Sequence, residues 1–196
     1  MNLTPGPPSA AKVALRDQVL AARRRRPLGE AADDAARIAR HLLAAPEVRR
    51  AATVAAYVGV GREPGTGLLL DALGEAGKRV VLPVLLPDGD LDWAVYTGSA
   101  ELVAAGRGLL EPVSPPLGVD SVATADVVVV PGLAVSSTGM RLGRGGGSYD
   151  RALARVPVGT FTCVVVYDDE VGRDVPAEAH DRRVAAAVSP SGVVRF

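Results

Sequence analysis

The 196-residue sequence has one cysteine, two histidines and only 4% aromatic residues. A single thiol, Cys163, forms no intrachain disulfide and fits a reducing compartment. With so few His and Cys there is no clustered donor set for a tetrahedral zinc site. Neither charge is in excess, since 22 basic residues balance 22 acidic ones. A general nucleic-acid binder needs a basic surface to neutralise phosphates, and nothing in this balance points to one. No uninterrupted apolar run approaches the ~18 residues of a membrane-spanning helix. Met1–Ala11 has prolines and lacks the apolar stretch of a secretory signal. These absences predict a soluble, cytoplasmic, monomeric protein with neither nucleic acid nor membrane as partner.

What is present is small and apolar. Hydrophobic residues make up 48%, beside 22 Gly and 15 Pro. Ala and Val dominate, a composition that suits helices packed closely on a Val-rich sheet. The length fits one domain. Residues 1–11 are expected to form a flexible arm and residues 12–196 a single α/β domain. Ser9 is a cap candidate for a helix reaching Arg25, which Pro27 and Gly29 end. A second helix is expected over Glu30–Ala45 and a third over Gly65–Ala76, stopped by Gly77. Buried or alternating apolar runs predict strands at Thr53–Val58, Arg79–Pro83, Leu91–Tyr96, Asp126–Val130, Phe161–Tyr167 and Val184–Val188. Ser99 is expected to cap a short helix, and Gly106–Gly118 to be loop. Alternation of strands and helices implies a three-layer sandwich, a largely parallel sheet flanked by helices.

The most informative segment is RLGRGGGSYD, Arg141–Asp150, between the strand at Asp126–Val130 and a helix expected over Ser148–Ala154. Strand ends next to helix starts are where open α/β sheets hold ligands. Gly143, Gly145, Gly146 and Gly147 let the backbone approach an anion, and free N–H groups at the helix start favour phosphate. Arg141 and Arg144 add guanidinium donors, and Asp150 supplies a carboxylate for a phosphate-bound Mg²⁺. The spacing is neither the P-loop nor the dinucleotide fingerprint, and a glycine-rich structural turn is the competing reading.

The block Pro131–Leu153 resembles the characteristic motif of the 5-formyltetrahydrofolate cyclo-ligase family. Further similar elements follow in the same order: KVALR at Lys12–Arg16, YVGVGREPGT at Tyr57–Thr66, GKRVVLPV at Gly77–Val84, GLLEP at Gly108–Pro112 and VPAEAHDRRV at Val175–Val184. Two departures stand out. Ser148 occupies the first position of the family's Tyr-Tyr-Asp, and Pro64 and Gly65 lie inside its Glu-x-x-Thr element, Glu63 to Thr66.

The resemblance implies ATP- and Mg²⁺-dependent closure of 5-formyltetrahydrofolate to 5,10-methenyltetrahydrofolate. It implies ATP phosphate contacts from Lys12 and Arg16, which are four apart and so share a helix face. The nucleotide would be wrapped by Arg141, Leu142, Gly143, Arg144, Gly145, Gly146, Gly147, Ser148 and Tyr149, with Arg144 and Tyr149 catalytic and Asp150 and Asp181 supporting Mg²⁺. Folate would lie against Val58, Glu63, Trp93 and Tyr149. A strand aromatic facing the core is the plainer reading of Trp93. The run Arg23–Arg26 reads as a solvated helix end, His41 as exposed, His180 as a loop organiser and Cys163 as a small core residue. A sugar-phosphate isomerase or acyl transferase on a related scaffold, and a non-catalytic nucleotide-binding regulator, remain the competing classes.

Overall fold

The computed structural model describes residues 9–196. Five helices run over Ala10–Arg25 (α1), Leu28–Ala44 (α2), Pro46–Arg50 (α3), Gly67–Glu75 (α4) and Ser148–Arg155 (α5). The strands are β1 (Thr53–Ala55), β2 (Arg79–Leu85), β3 (Leu91–Val95), β4 (Leu102–Ala104), β5 (Leu110–Pro112), β6 (Val127–Pro131), β7 (Ala134–Val135), β8 (Arg141–Leu142), β9 (Phe161–Val165), β10 (Ala186–Ser189) and β11 (Gly192–Arg195). Seven of them form one sheet in the order β11-β10-β9-β6-β1-β2-β3. The five central strands are parallel, while β3 and β11 pair antiparallel at the edges. The expected largely parallel sheet is therefore present.

The three layers follow from the strand period. Val127 and Val129 of β6 pack with Ile38, Leu42, Leu69, Leu70 and Leu73 of α2 and α4. Val128 and Val130 face the other way, onto Ala152 and Leu153 of α5 and Val122. Burying a Val or Leu side chain stabilises by about 1.5–3 kcal/mol, so a sheet with both faces covered favours continuous apolar strands over alternating ones. Cys163 is fully buried on the α2/α4 side, and burial pushes its thiol pKa up.

Several local expectations change. Ser9 caps α1 as expected, accepting from Lys12 N at 3.3 Å. The helix thus starts at Ala10, inside the span assigned to the arm, whose residues 1–8 lie outside the described residues. Pro27 precedes α2, but Gly29 sits within it. Ser99 lies in a short 3₁₀ turn whose cap position is Gly98. The span expected to be loop contains β5, which pairs with β4, and the segment after β6 carries the β7–β8 pair. His41 is only partly exposed and contacts Pro190 O at 3.2 Å.

The reading of Arg23–Arg26 as a solvated helix end needs correction. Arg24 and Arg25 are exposed, but Arg23 is 1% exposed and forks onto Glu170, itself 2% exposed. Its Nε donates to Oε1 at 2.7 Å and its Nη2 to Oε2 at 2.8 Å, with a further bond to Gly132 O at 2.7 Å. Arg26 stacks on the Tyr167 ring 3.9 Å from its centroid. The helix phase explains this: Lys12, Leu15, Val19 and Arg23 share the buried face of α1.

Candidate active-site cleft

Strand order reverses between β1 and β6: the chain leaves β1 towards β2 and returns to β6 on its other side. Both are parallel, so the loops after their carboxyl ends diverge and leave a crevice. A cleft of about 1000 Å³ opens there, at the upper end of the usual range for ligand sites. Every site residue expected from the sequence lines it except Trp93.

The loop after β1 forms one wall. Thr66, 1% exposed, donates to Tyr57 O at 2.6 Å and accepts from Gly59 N at 2.9 Å. Glu63 Oε2 accepts from Val60 N at 3.1 Å. Thr66 thus pins the turn that presents Glu63, and Pro64 and Gly65 sit within it without breaking it.

The segment after β6 forms the opposite wall. The β7–β8 pair returns the chain so that Arg141 faces inward, and the glycines then run to α5. Gly145 and Gly147 have φ of 101° and 68°, left-handed values that a Cβ would strain. Gly147 is the cap residue of α5, so Ser148 is not the cap; its hydroxyl donates to Gly89 O at 2.5 Å. Arg151 also donates to Gly89 O, and Arg155 forks onto Asp90 at 2.9 and 2.5 Å. The start of α5 is therefore anchored to the β2–β3 turn.

Charged groups from distant parts of the chain meet in this cleft. Arg16 Nε donates to Gly143 O at 2.9 Å, tying α1 to the glycine loop. Lys12 is 3% exposed, and its Nζ lies 2.5 Å from Asp181 Oδ2 and 3.1 Å from Glu178 Oε2. Arg141 Nη2 donates to Asp150 Oδ1 at 3.1 Å, and its guanidinium lies 5.9 Å from the Tyr149 ring centroid. Burial, reinforced by the Glu63 charge, pushes the Tyr149 pKa far up, so its phenol stays protonated. Arg144 reaches across the cleft and places Nη2 and Nε 2.9 and 3.0 Å from Glu63 Oε1. The residue expected on the nucleotide side and the one expected on the folate side are thus direct partners.

The carboxylates suit a hard, oxygen-seeking cation, which takes one or two carboxylates and completes its shell with phosphate and water. Both hydrogen bonds to Asp150, from Arg141 and from Arg182 N, fall on Oδ1. Asp181 takes its Lys12 and Glu178 N bonds on Oδ2. Each carboxylate therefore retains an oxygen free of hydrogen bonds from the described residues. The close donor group is Glu178, His180 and Asp181, within 4.8 Å of one another; Asp150 is not in it. His180 is half exposed, 3.5 Å from Glu178 and 3.7 Å from Asp181.

Trp93 is the one displaced assignment. It is fully buried and packs with Ala55, Val122 and Val128 beneath the sheet. Leu91, two residues earlier on the same face of β3, belongs to the same core cluster but sits at the strand's end, where it also reaches the cleft edge. Several wall residues lie outside the set expected from the sequence, Tyr57 and Arg107 among them. Tyr57 lies within a quoted element, yet no spacing rule singles out an aromatic at a strand end.

Comparison with known proteins gives one family. The model of the 5-formyltetrahydrofolate cyclo-ligase family matches residues 8–190. A 5-formyltetrahydrofolate cyclo-ligase of Mycolicibacterium smegmatis is 45% identical over 148 residues, 72% of this chain and 76% of that protein. One from Escherichia coli is 35% identical over 163 residues, 79% of this chain and 87% of its own. Among solved structures, a 5,10-methenyltetrahydrofolate synthetase of Aquifex aeolicus superposes with a TM-score of 0.80 at 28% identity, covering 94% and 92% of the two chains. No helix among the described residues is long and apolar enough to cross a membrane.

Proposed function

Because the chain belongs to the 5-formyltetrahydrofolate cyclo-ligase family, we propose that it converts 5-formyltetrahydrofolate to 5,10-methenyltetrahydrofolate while ATP becomes ADP and phosphate. The observation that carries this reading is a single cleft with two unlike walls. One is a glycine loop flanked by Arg16, Arg141 and Arg144; the other is a turn presenting Glu63.

The chemistry is set by a poor leaving group. The formamide carbonyl carbon is weakly electrophilic, and its oxygen must depart when the ring closes. The formyl oxygen attacks the γ-phosphorus, the bond to ADP breaks, and an imidoyl phosphate forms. Folate N10 then attacks the formyl carbon, the N10 proton is lost, and inorganic phosphate leaves. No protein nucleophile is needed, so the side chains position reactants and stabilise charge.

Arg16 keeps the loop in place through Nε, leaving its terminal nitrogens for phosphate oxygens. Arg141, held by Asp150 and Pro131 O, steadies the floor beneath Tyr149. Arg144 exchanges Glu63 for the transferring phosphoryl group. Lys12 orders Asp181 and Glu178 as much as it attracts phosphate. Asp150 and Asp181 would hold Mg²⁺, which when bound neutralises the phosphate charge that develops during transfer. Glu63 accepts from the pterin N–H donors, and Val58 and Tyr149 flank the ring. We further place the protein in the cytoplasm as a monomer, with residues 9–196 as one domain.

The test is the absorbance of methenyltetrahydrofolate with 5-formyltetrahydrofolate, in the presence and absence of ATP and of Mg²⁺. Product is expected only when all three are supplied. Product without ATP, or none with the full mixture, refutes the proposal.

A further inference from the structure

Four buried side-chain polar atoms lack a hydrogen-bond partner among the described residues: Arg23 Nη1, Tyr57 Oη, Trp93 Nε1 and Arg141 Nε. Three of them belong to residues that line the cleft or bond to one that does. Tyr57 and Arg141 line the cleft, and Arg23 bonds to Gly132, which also lines it. Native interiors pair nearly all such atoms, so a concentration of exceptions at one cleft points to a ligand's polar groups.

Tyr57 is the distinctive member. Both arginines use their other nitrogens on protein oxygens, whereas the one polar atom of the Tyr57 side chain is unpaired. The residue is 3% exposed and its backbone is pinned by Thr66. A phenylalanine would fill the same apolar space without burying a hydroxyl.

We infer that the Tyr57 hydroxyl is a binding contact for the fused-ring head of the folate, beside Glu63. This rests on the proposed placement of the folate against Glu63. A carboxylate only accepts hydrogen bonds, whereas a neutral phenol both accepts and donates. The edge of a pterin alternates ring and amino N–H donors with a carbonyl oxygen. Glu63 takes the donors and Tyr57 serves the carbonyl, so the two residues read complementary parts of one edge. Burial first, then the Glu63 charge, pushes the phenol pKa well above its ordinary value, which keeps the proton on oxygen.

The experiment is Tyr57→Phe, with Glu63→Gln in parallel, followed by kinetics in both substrates, calorimetric titration with 5-formyltetrahydrofolate and thermal unfolding. For Tyr57→Phe, Kd and KM for the folate should rise roughly 5- to 20-fold, the loss of one hydrogen bond to a desolvated partner. The KM for ATP should hold within about twofold, and Tm should stay level or rise because an unpaired buried hydroxyl is gone. Unchanged folate binding in Tyr57→Phe, with weakened binding in Glu63→Gln, overturns the Tyr57 assignment alone. Unchanged binding in both overturns the folate placement as well. A lowered Tm with normal folate binding assigns the hydroxyl to the fold and also refutes the inference.

Discussion

An Arg144→Ala variant separates the two walls of the cleft, because Arg144 projects from the glycine loop and grips Glu63 on the opposite turn. The Arg144 side chain is 60% exposed. Its pair with Glu63 is therefore screened and contributes about 0.2–1 kcal/mol, a factor of roughly 1.4 to 5 in any equilibrium it opposes. A guanidinium bond to a phosphate oxygen in the closed cleft is worth about 1.5–3 kcal/mol, or roughly 10- to 150-fold. Losing Arg144 should therefore raise the KM for ATP at least ~10-fold. Affinity for 5-formyltetrahydrofolate without ATP should hold or tighten by up to about fivefold, since Glu63 is released. Steady-state kinetics and calorimetry with the folate alone measure the two arms. Arg144→Lys should fall between, because an ammonium keeps the charge but not the two-nitrogen grip. An ATP KM within about twofold of the parent, or folate affinity weakened as much as ATP use, would falsify this division of roles.

Two further expectations concern the frame that holds the cleft. Arg23→Met leaves the buried Glu170 carboxylate uncompensated, which costs about 3–5 kcal/mol and lowers Tm by roughly 6–20 °C for a chain of this size; adding Glu170→Gln should recover part of the loss. A scanning-calorimetry shift below ~2 °C would show that the pair carries no such energy. Asp90 is held below the ordinary carboxylate range chiefly by its Arg155 hydrogen bonds. A depressed folded pKa gives stability that is complete above the unfolded value of about 3.9 and lost as pH falls through the folded value. Asp90→Asn should thus lower Tm at neutral pH, with the gap closing below about pH 4. A gap that stays constant into that acid range contradicts the assignment.

The features legible in the sequence were those encoded over short spans. The run from Val127 to Val130, the turn at Gly77 and the Ser9 cap each follow from a few neighbouring residues, and the structure contains all three. The glycine block was legible because backbone freedom next to arginine is a local chemical statement. The short β4, β5 and β11 were missed because three- and four-residue strands carry little pattern of their own. They exist through partners: β11 by pairing with β10, β4 and β5 by pairing with each other.

Charge partners were the hardest to read. Arg23 sits in a run of four arginines that looks solvated, yet Glu170, 147 residues away, draws it inside. Lys12 and Asp181, 169 residues apart, form one ion pair, and Arg144 meets Glu63 across 81 residues. Trp93 takes the plainer of its two readings, a core-facing strand aromatic, and not the cleft position that the resemblance implies, because the period of a strand says that faces alternate, not which face meets the core.

Composition, the alternation of the main strands and helices and the RLGRGGGSYD block are legible in the sequence, since each depends on residues within one or two turns of chain. Which charges pair, which aromatic reaches the cleft and which hydroxyl is left buried without a partner were decided only by the tertiary structure. Those outcomes depend on the packing of segments remote in sequence, where desolvation makes each charge or hydroxyl hold whatever polar group the fold delivers.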